Sequence, residues 1–115
     1  KGMPDLFDKE LKDRPKAIMQ VFMYAHLYLM EHPEKILEPG IYYLRNLFDY
    51  AFAPEVEYKS PSSKLKIKDF NEWRSDFKEL FEKCLEEIFD QEVHFTQTPT
   101  GKACEWCAFT NICKK

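Results

Sequence analysis

Hydrophobic positions repeat with helical spacing in two long stretches of this chain, and a section of strand character separates them. The first stretch, residues 14–31, is apolar on almost every side and ends before Pro33, which cannot continue a helix. Two apolar stripes run along it, formed by Ile18, Val21, Phe22, Ala25 and Leu29 and by Met19, Met23, His26 and Met30. We therefore expect a long buried helix, with Asp13 as its N-cap, that this chain or a partner covers on most sides.

The second stretch, residues 69–90, opens with Asp69 and Glu72 at the spacing of a capping box. Its apolar stripe consists of Phe70, Trp73, Phe77, Leu80, Phe81, Cys84 and Ile88. Charged residues fill the remaining positions, so the pattern predicts a long amphipathic helix that packs on one side only.

Residues 41–68, between the helices, have strand character. Residues 41–44 (IYYL) are β-branched and aromatic and follow a Pro39-Gly40 turn. Residues 55–59 and 64–68 alternate charged and apolar positions across the loop SPSS, which predicts a short hairpin. The fold class is therefore α+β, a single domain over residues 1–115 with short antiparallel or mixed strands between two long helices and a cysteine-rich tail at residues 94–115.

Composition narrows the class of protein. The 115 residues are 44% hydrophobic, enough for one core, and 32% charged with a net charge of −3, so the basic excess of an autonomous nucleic-acid-binding domain is missing. Any contact with DNA must be local or shared with other chains. No apolar run reaches the roughly 18 residues of a membrane helix and no signal peptide pattern opens the chain, so we expect a cytoplasmic protein without a membrane partner.

Three of the four cysteines form the pattern C-x2-C-x5-C at Cys104, Cys107 and Cys113. A cytoplasmic location argues against a disulfide, and the C-x2-C spacing favours metal ligation. Zinc and iron-sulfur clusters both need four ligands, so one is still to be found. Cys84 lies in an apolar helical stripe, where a free cysteine packs as a small hydrophobe, and His94 is nearer the tail. The fourth ligand is His94, Cys84 or a residue outside this chain.

The cysteine tail, preceded by residues 95–98 (FTQT), resembles the C-terminus of AddB-type nuclease domains, in the RecB branch of the PD-(D/E)XK superfamily. The resemblance implies a partial restriction-endonuclease-like fold. It also implies that Cys104, Cys107 and Cys113 join one cysteine far upstream to hold a [4Fe-4S] cluster that keeps the nuclease domain closed, with zinc as the alternative metal.

A second motif supports this resemblance independently. Gln20 and Tyr24 are four residues apart and lie on one helix face, similar to the Q-x-x-x-Y motif of the RecB branch. Motif, strands, long helix and cysteine tail follow one another in the order of that family. The resemblance implies that Gln20 and Tyr24 are catalytic residues, which organise a metal-bound water or a DNA phosphate.

The catalytic carboxylates of the superfamily hold Mg²⁺, and a lysine on the adjacent strand assists. Pro4-Asp5 and Glu57-Tyr58-Lys59 spell PD…ExK, but the ExK strand of the family precedes Q-x-x-x-Y, whereas Glu57 follows Tyr24 by more than thirty residues. We interpret Glu57 as part of a solvated edge strand. The chain also opens on Lys1-Gly2, which suggests a piece of a longer protein. We therefore expect a C-terminal nuclease-domain fragment, inactive alone, whose partners are DNA, the missing N-terminal half and a helicase subunit.

Two other functions are consistent with the pattern. A zinc-binding interaction module would use Cys104, Cys107, Cys113 and His94, with the aromatic-rich first helix as its docking face. A redox protein would use Cys104 and Cys107, but the strand-to-helix turn expected before such a motif is missing. The redox interpretation ranks last.

Overall fold

The computed structural model describes residues 3–9, 11, 14–60, 63–96 and 104–113. Its helices are α1 (Lys16–Glu31), α2 (Asn71–Phe89) and α3 (Thr110–Cys113), and its strands are β1 (Glu57–Ser60) and β2 (Ser63–Lys66). Short 3-10 turns occur at Pro4–Leu6 and Leu44–Asn46. The elements follow the predicted α+β order, although α1 begins two residues later than expected and Asp13 lies outside the described residues.

The core lies where α1 packs against α2, and aromatic rings form its centre. The ring of Phe22 lies 4.9 Å from that of Phe70 and meets the ring of Phe77 edge-on at 5.8 Å. Such tilted and edge-on pairs are favourable because the ring edges carry positive charge and the faces negative charge. The buried hydrophobic residues are Met3, Leu6, Phe22, Ala25, Leu29, Val56, Ile67, Phe70 and Phe77.

Burial of α1 is one-sided within the described part of the chain, so the expectation that most of its surface is covered now depends on a partner. The buried positions are Phe22, Ala25, His26 and Leu29. On the other side Tyr24 is 56% exposed and Leu27 51% exposed. The difference has a simple cause, because α2 and the turn at Pro4–Leu6, the elements packed on α1, both approach from the side of Phe22.

The predicted hairpin is present. Strands β1 and β2 pair antiparallel, with Glu57 opposite Lys66 and Tyr58 opposite Leu65. Residues 55 and 56 continue the pairing towards the core, since Val56 is buried and its carbonyl accepts from the Ile67 amide at 3.0 Å.

Residues 41–44 do not form a strand, so this prediction is wrong. Gly40 forms an isolated bridge with Glu55, and the chain then enters the 3-10 turn at Leu44–Asn46. Pro39 and Pro54 flank the bridge, and proline has no amide proton to extend a ladder. A glycine suits the bridge because a Cβ there would lie 3.3 Å from the Pro54 oxygen.

The start of α2 differs from the predicted capping box. The helix begins at Asn71, and Asp69 Oδ1 accepts hydrogen bonds from both the backbone and the side-chain nitrogen of Asn71, each at 2.9 Å. The Asn71 side chain also donates to the Lys35 carbonyl at 3.0 Å, which ties the start of α2 to the segment after α1. At the other end, Ile88 was predicted to be buried but is exposed.

The molecule is more extended than a compact domain of its length. Its radius of gyration is 17.1 Å, against about 13 Å expected for 115 residues. Large apolar side chains are exposed throughout residues 42–50, including Tyr42, Tyr43, Leu44, Phe48 and Tyr50. Among the described helices, none is long and apolar enough to cross a membrane.

Candidate functional site

Gln20 and Tyr24, the pair predicted to lie near the chemistry, occupy one face of α1. The Gln20 amide nitrogen Nε2 donates to Tyr24 Oη at 2.9 Å, and both side chains are exposed. Gln20 is therefore not a buried amide, and its polar partner is a neighbour on the same helix. The Gln20 side-chain oxygen can still accept a hydrogen bond from solvent or a ligand. The Tyr24 hydroxyl can still donate one.

The surface around this pair is apolar. Leu27 and Tyr28 follow Tyr24 by three and four residues, so they continue its helix face, and both are exposed. The pair thus lies on an uncovered helix face that combines two hydrogen-bonding groups with apolar side chains. Such a face suits contact with another protein surface whose polar groups meet Gln20 and Tyr24.

The two carboxylates of the rejected PD…ExK pattern lie in separate local structures. Asp5 is in the 3-10 turn at Pro4–Leu6, and Glu57 begins β1, where it is exposed. Within the described ranges, no group of three or more histidine, cysteine, aspartate or glutamate side chains is placed to hold a metal ion. These residues do not form a magnesium site as they stand.

Of the three tail cysteines, Cys104 and Cys107 lie in the turn before α3, and Cys113 is the last residue of α3. The Cys107 amide donates to the Cys104 carbonyl at 3.1 Å, and the Thr110 hydroxyl donates to the Cys107 carbonyl at 2.5 Å. Cys113 closes α3, and its amide donates to the Phe109 carbonyl at 3.2 Å. Thiols are suitable ligands for zinc or an iron-sulfur cluster, but this arrangement does not gather the three into a site.

The two candidates for a fourth ligand inside this chain, Cys84 and His94, line a common groove of about 460 Å³ beside α2. Lys9 and Glu87, which form an ion pair, also line it. The tail cysteines are not among its lining residues. His94 and Cys84 thus line the same groove, while the structure places neither with Cys104, Cys107 and Cys113.

A second groove, of about 750 Å³, runs between α1 and α2, and we call it the His26 groove. His26 lines it from α1, and Arg74 and Lys78 line it from α2. The sequence pattern placed His26 only in an apolar stripe of the first helix and gave Arg74 and Lys78 no functional role. The sequence feature that could have identified the α2 side of this groove is the helical spacing of four polar residues, which places them on one helix face: Asn71, Arg74, Ser75 and Lys78.

Family comparison decides the class of protein. A model of the PD-(D/E)XK nuclease superfamily matches residues 2–114, almost the whole chain. The chain belongs to the PD-(D/E)XK nuclease superfamily. No curated protein and no solved structure matches it.

Membership in the PD-(D/E)XK nuclease superfamily supports the helix-rich α+β architecture and implies DNA as the bound substrate. It does not by itself distinguish the branches of the superfamily. The residues that bear on the branch are Gln20 and Tyr24 on α1 and the three tail cysteines.

Proposed function

We propose that this chain is the C-terminal portion of a RecB- or AddB-type DNA exonuclease that acts in DNA repair and recombination. The observation that carries the proposal is the hydrogen-bonded pair of Gln20 and Tyr24 on an uncovered apolar face of α1. The missing N-terminal half of the nuclease domain packs on that face and brings its magnesium-binding carboxylates to the pair. A helicase subunit is the expected further partner.

In the assembled domain, Gln20 and Tyr24 act by orientation. Their mutual hydrogen bond restricts both side chains before substrate arrives, so less conformational freedom is lost when they bind a DNA phosphate or a water. The Gln20 oxygen can accept from a water, and the Tyr24 hydroxyl can donate to a phosphate oxygen. Magnesium, when bound by the other half, supplies charge stabilisation at the phosphate.

The test uses the full-length parent protein. Gln20→Ala should lower DNA cleavage about a hundredfold, because an oriented group at the reacting centre is lost, and should leave the thermal unfolding temperature almost unchanged because Gln20 is exposed. Gln91→Ala, at an exposed glutamine just after α2, is the matched control and should change neither quantity. Unchanged turnover in Gln20→Ala would show that the pair has no part in catalysis.

The 115-residue chain alone, supplied with Mg²⁺ or Mn²⁺, should leave linear DNA uncut, because the metal-binding carboxylates belong to the other half. Glu57→Ala is the informative variant. Cleavage by the chain that disappears in Glu57→Ala would restore Glu57-Tyr58-Lys59 as a catalytic motif and contradict the proposal.

We also propose that Cys104, Cys107 and Cys113 supply three of four ligands to a [4Fe-4S] cluster in the parent, with the fourth thiolate upstream. Three thiolates without their partner should hold metal weakly in the 115-residue chain. Iron and zinc analysis of chain and parent tests this. Stoichiometric zinc in the 115-residue chain, lost in His94→Ala, would favour the zinc-binding interaction module.

A further inference from the structure

The His26 groove lies away from the Gln20 and Tyr24 pair. His26 follows Tyr24 by two residues, which is about 200° around an α-helix, so these two side chains are on opposite sides of α1, and Leu27 lies at the border of the two surfaces. Nothing in the proposed catalytic role uses this groove. Its residues therefore need a separate explanation.

The α2 wall of the groove is built at helical spacing. Asn71, Arg74, Ser75 and Lys78 contribute polar groups, of which two are cationic, and Glu82 contributes one carboxylate. Lys78 pairs with Glu82 at 3.6 Å, but both side chains are more than half exposed, so this pair is weak. No carboxylate within the described part of the chain pairs with Arg74, so its guanidinium is available to an anion.

The α1 wall carries the most unusual group, His26. Its side chain is buried, and its Nδ1 atom has no hydrogen-bond partner among the described residues. A buried polar atom without a partner is costly, and native proteins rarely leave one unexplained. Burial, followed by the nearby charges of Arg74 and Lys78, lowers the pKa of His26, while Glu82 opposes this effect.

The remainder of the groove is apolar. Leu27 and Met30 contribute from α1, and Phe81 and Leu85 contribute from α2. The groove thus has cationic and hydrogen-bonding groups beside a hydrophobic and aromatic surface, and its volume is within the range of small-molecule sites. These groups suit an anionic ligand that also has a flat apolar part.

We propose that the His26 groove binds one nucleotide of a DNA strand, with the phosphate held by Arg74 and Lys78 and the base against Phe81. Arginine suits this role because its planar fork matches phosphate oxygens, and aromatic side chains stack with bases. The groove holds DNA outside the catalytic centre, so it positions substrate and does not react with it. The choice of DNA as the source of the nucleotide rests on superfamily membership, not on the role of Gln20 and Tyr24.

The test measures binding of a short fluorescein-labelled oligothymidylate to the 115-residue chain by fluorescence anisotropy at low salt. Arg74→Gln should weaken binding about tenfold, since a charged hydrogen bond to phosphate is lost. Glu82→Gln should tighten it by removing the only carboxylate that lines the groove among the described residues. Lys83→Gln is the matched control, because it removes one positive charge from another face of α2 and should change affinity less than about twofold.

Competition experiments distinguish recognition of a nucleotide from recognition of phosphate alone, and a second variant guards against loss of folding. Displacement of the oligonucleotide by thymidine monophosphate supports the groove as a nucleotide site, and equal displacement by inorganic phosphate would show that only the phosphate is recognised there. Should Arg74→Gln unfold, Lys78→Gln, at an exposed position, replaces it. Equal losses in Arg74→Gln and Lys83→Gln, or no loss in either, would overturn the site.

A second measurement uses the imidazole of His26. A phosphate between Arg74 and Lys78 offsets their charges, so thymidine monophosphate should raise the pKa of His26 in an NMR titration, in the same direction as the Glu82 carboxylate does. An unchanged titration at saturating ligand would contradict the site. Both assays measure binding without cleavage, so their failure leaves the catalytic proposal for Gln20 standing, and the reverse also holds.

Discussion

The two faces of α1 are similar in composition but differ in what covers them. One face, with Phe22, Ala25 and Leu29, is buried against the rings of Phe70 and Phe77. The opposite face, with Tyr24 and Tyr28, is largely apolar too but is exposed, and Leu27 at its border is half exposed where it lines the His26 groove.

The two faces differ in burial because of where the aromatic rings of Phe70 and Phe77 lie, and not because of hydrophobicity alone. Phe70 and Phe77 are fixed at the start and middle of α2, and both rings point towards Phe22. Once this aromatic cluster forms, Tyr24, Leu27 and Tyr28 on the other side of α1 stay about half exposed. In a nuclease domain, such a face suits contact with another part of the protein.

The largest effect should come from the aromatic cluster itself. Phe77→Ala should destabilise the chain by about 3–5 kcal/mol, because Phe77 is fully buried and contacts rings from α1, α2 and the N-terminal turn. Chemical denaturation of the 115-residue chain measures it. Should the variant be unfolded, Phe77→Leu keeps the effect measurable, and a loss below about 1 kcal/mol in Phe77→Ala would show that the cluster does not organise the fold.

A matched leucine pair compares the two faces directly. Leu29→Ala should cost about 2–5 kcal/mol because its side chain is completely buried. Leu27→Ala, two residues away on the same helix, should cost at most about 0.5 kcal/mol in the 115-residue chain because its side chain is half exposed. In the full-length parent, Leu27→Ala should become costly if the other half covers this face, and equal small values in both proteins would show that the face stays open.

His26 lies at the border of the buried face, and its effect depends on pH. Its pKa is lower in the folded chain than the usual value near 6.5, so the folded state binds fewer protons than the unfolded state between the two values. The stability from neutral His26 is therefore present above about pH 6.5 and is lost as pH falls through the lowered pKa. Unfolding curves from pH 7.5 to 5.5 should show this decline in the wild type and a flatter profile in His26→Leu.

The exposed His94→Gln is the control for that pH series, and its profile should follow the wild type. Parallel profiles for His26→Leu and the wild type would mean that another group is responsible for the pH dependence.

The smallest change in the free energy of unfolding is expected from substitution of Gln20, in the pair with Tyr24. Gln20→Ala should change the free energy of unfolding of the 115-residue chain by no more than about 0.5 kcal/mol, because the side chain is already exposed and its hydrogen bond to Tyr24 is local. Denaturation measures it beside the leucine pair. A loss similar to that of Leu29→Ala would assign Gln20 to the core.

Sequence periodicity was sufficient for the elements whose structure is local. The helical spacing of residues 14–31 and 69–90 and the alternation in the hairpin are properties of neighbouring residues, and both helices and the hairpin are present, the helices as Lys16–Glu31 and Asn71–Phe89. The Q-x-x-x-Y spacing likewise placed Gln20 and Tyr24 on one face, where they bond to each other. The superfamily predicted from these motifs is the one whose model matches the chain.

Other features depended on contacts that the sequence does not show. Residues 41–44 have strand-forming side chains, but Pro39 and Pro54 limit their pairing to one bridge. Asn71 starts α2 because its side chain meets both Asp69 and the distant Lys35 carbonyl. The single bridge at Gly40 and the start of α2 both depend on contacts between segments that are distant in sequence. Local propensity does not determine such contacts.

The sequence by itself determined where the helices and the hairpin lie, because these depend on spacing along the chain, and its motifs resemble the superfamily whose model matches the chain. The tertiary structure decided which side of α1 is buried, that Gln20 is exposed, and that His26 shares a groove with Arg74 and Lys78. The physical reason is that an almost wholly apolar helix has several equivalent faces in sequence. Only the position of the aromatic rings on α2 makes one of them the core.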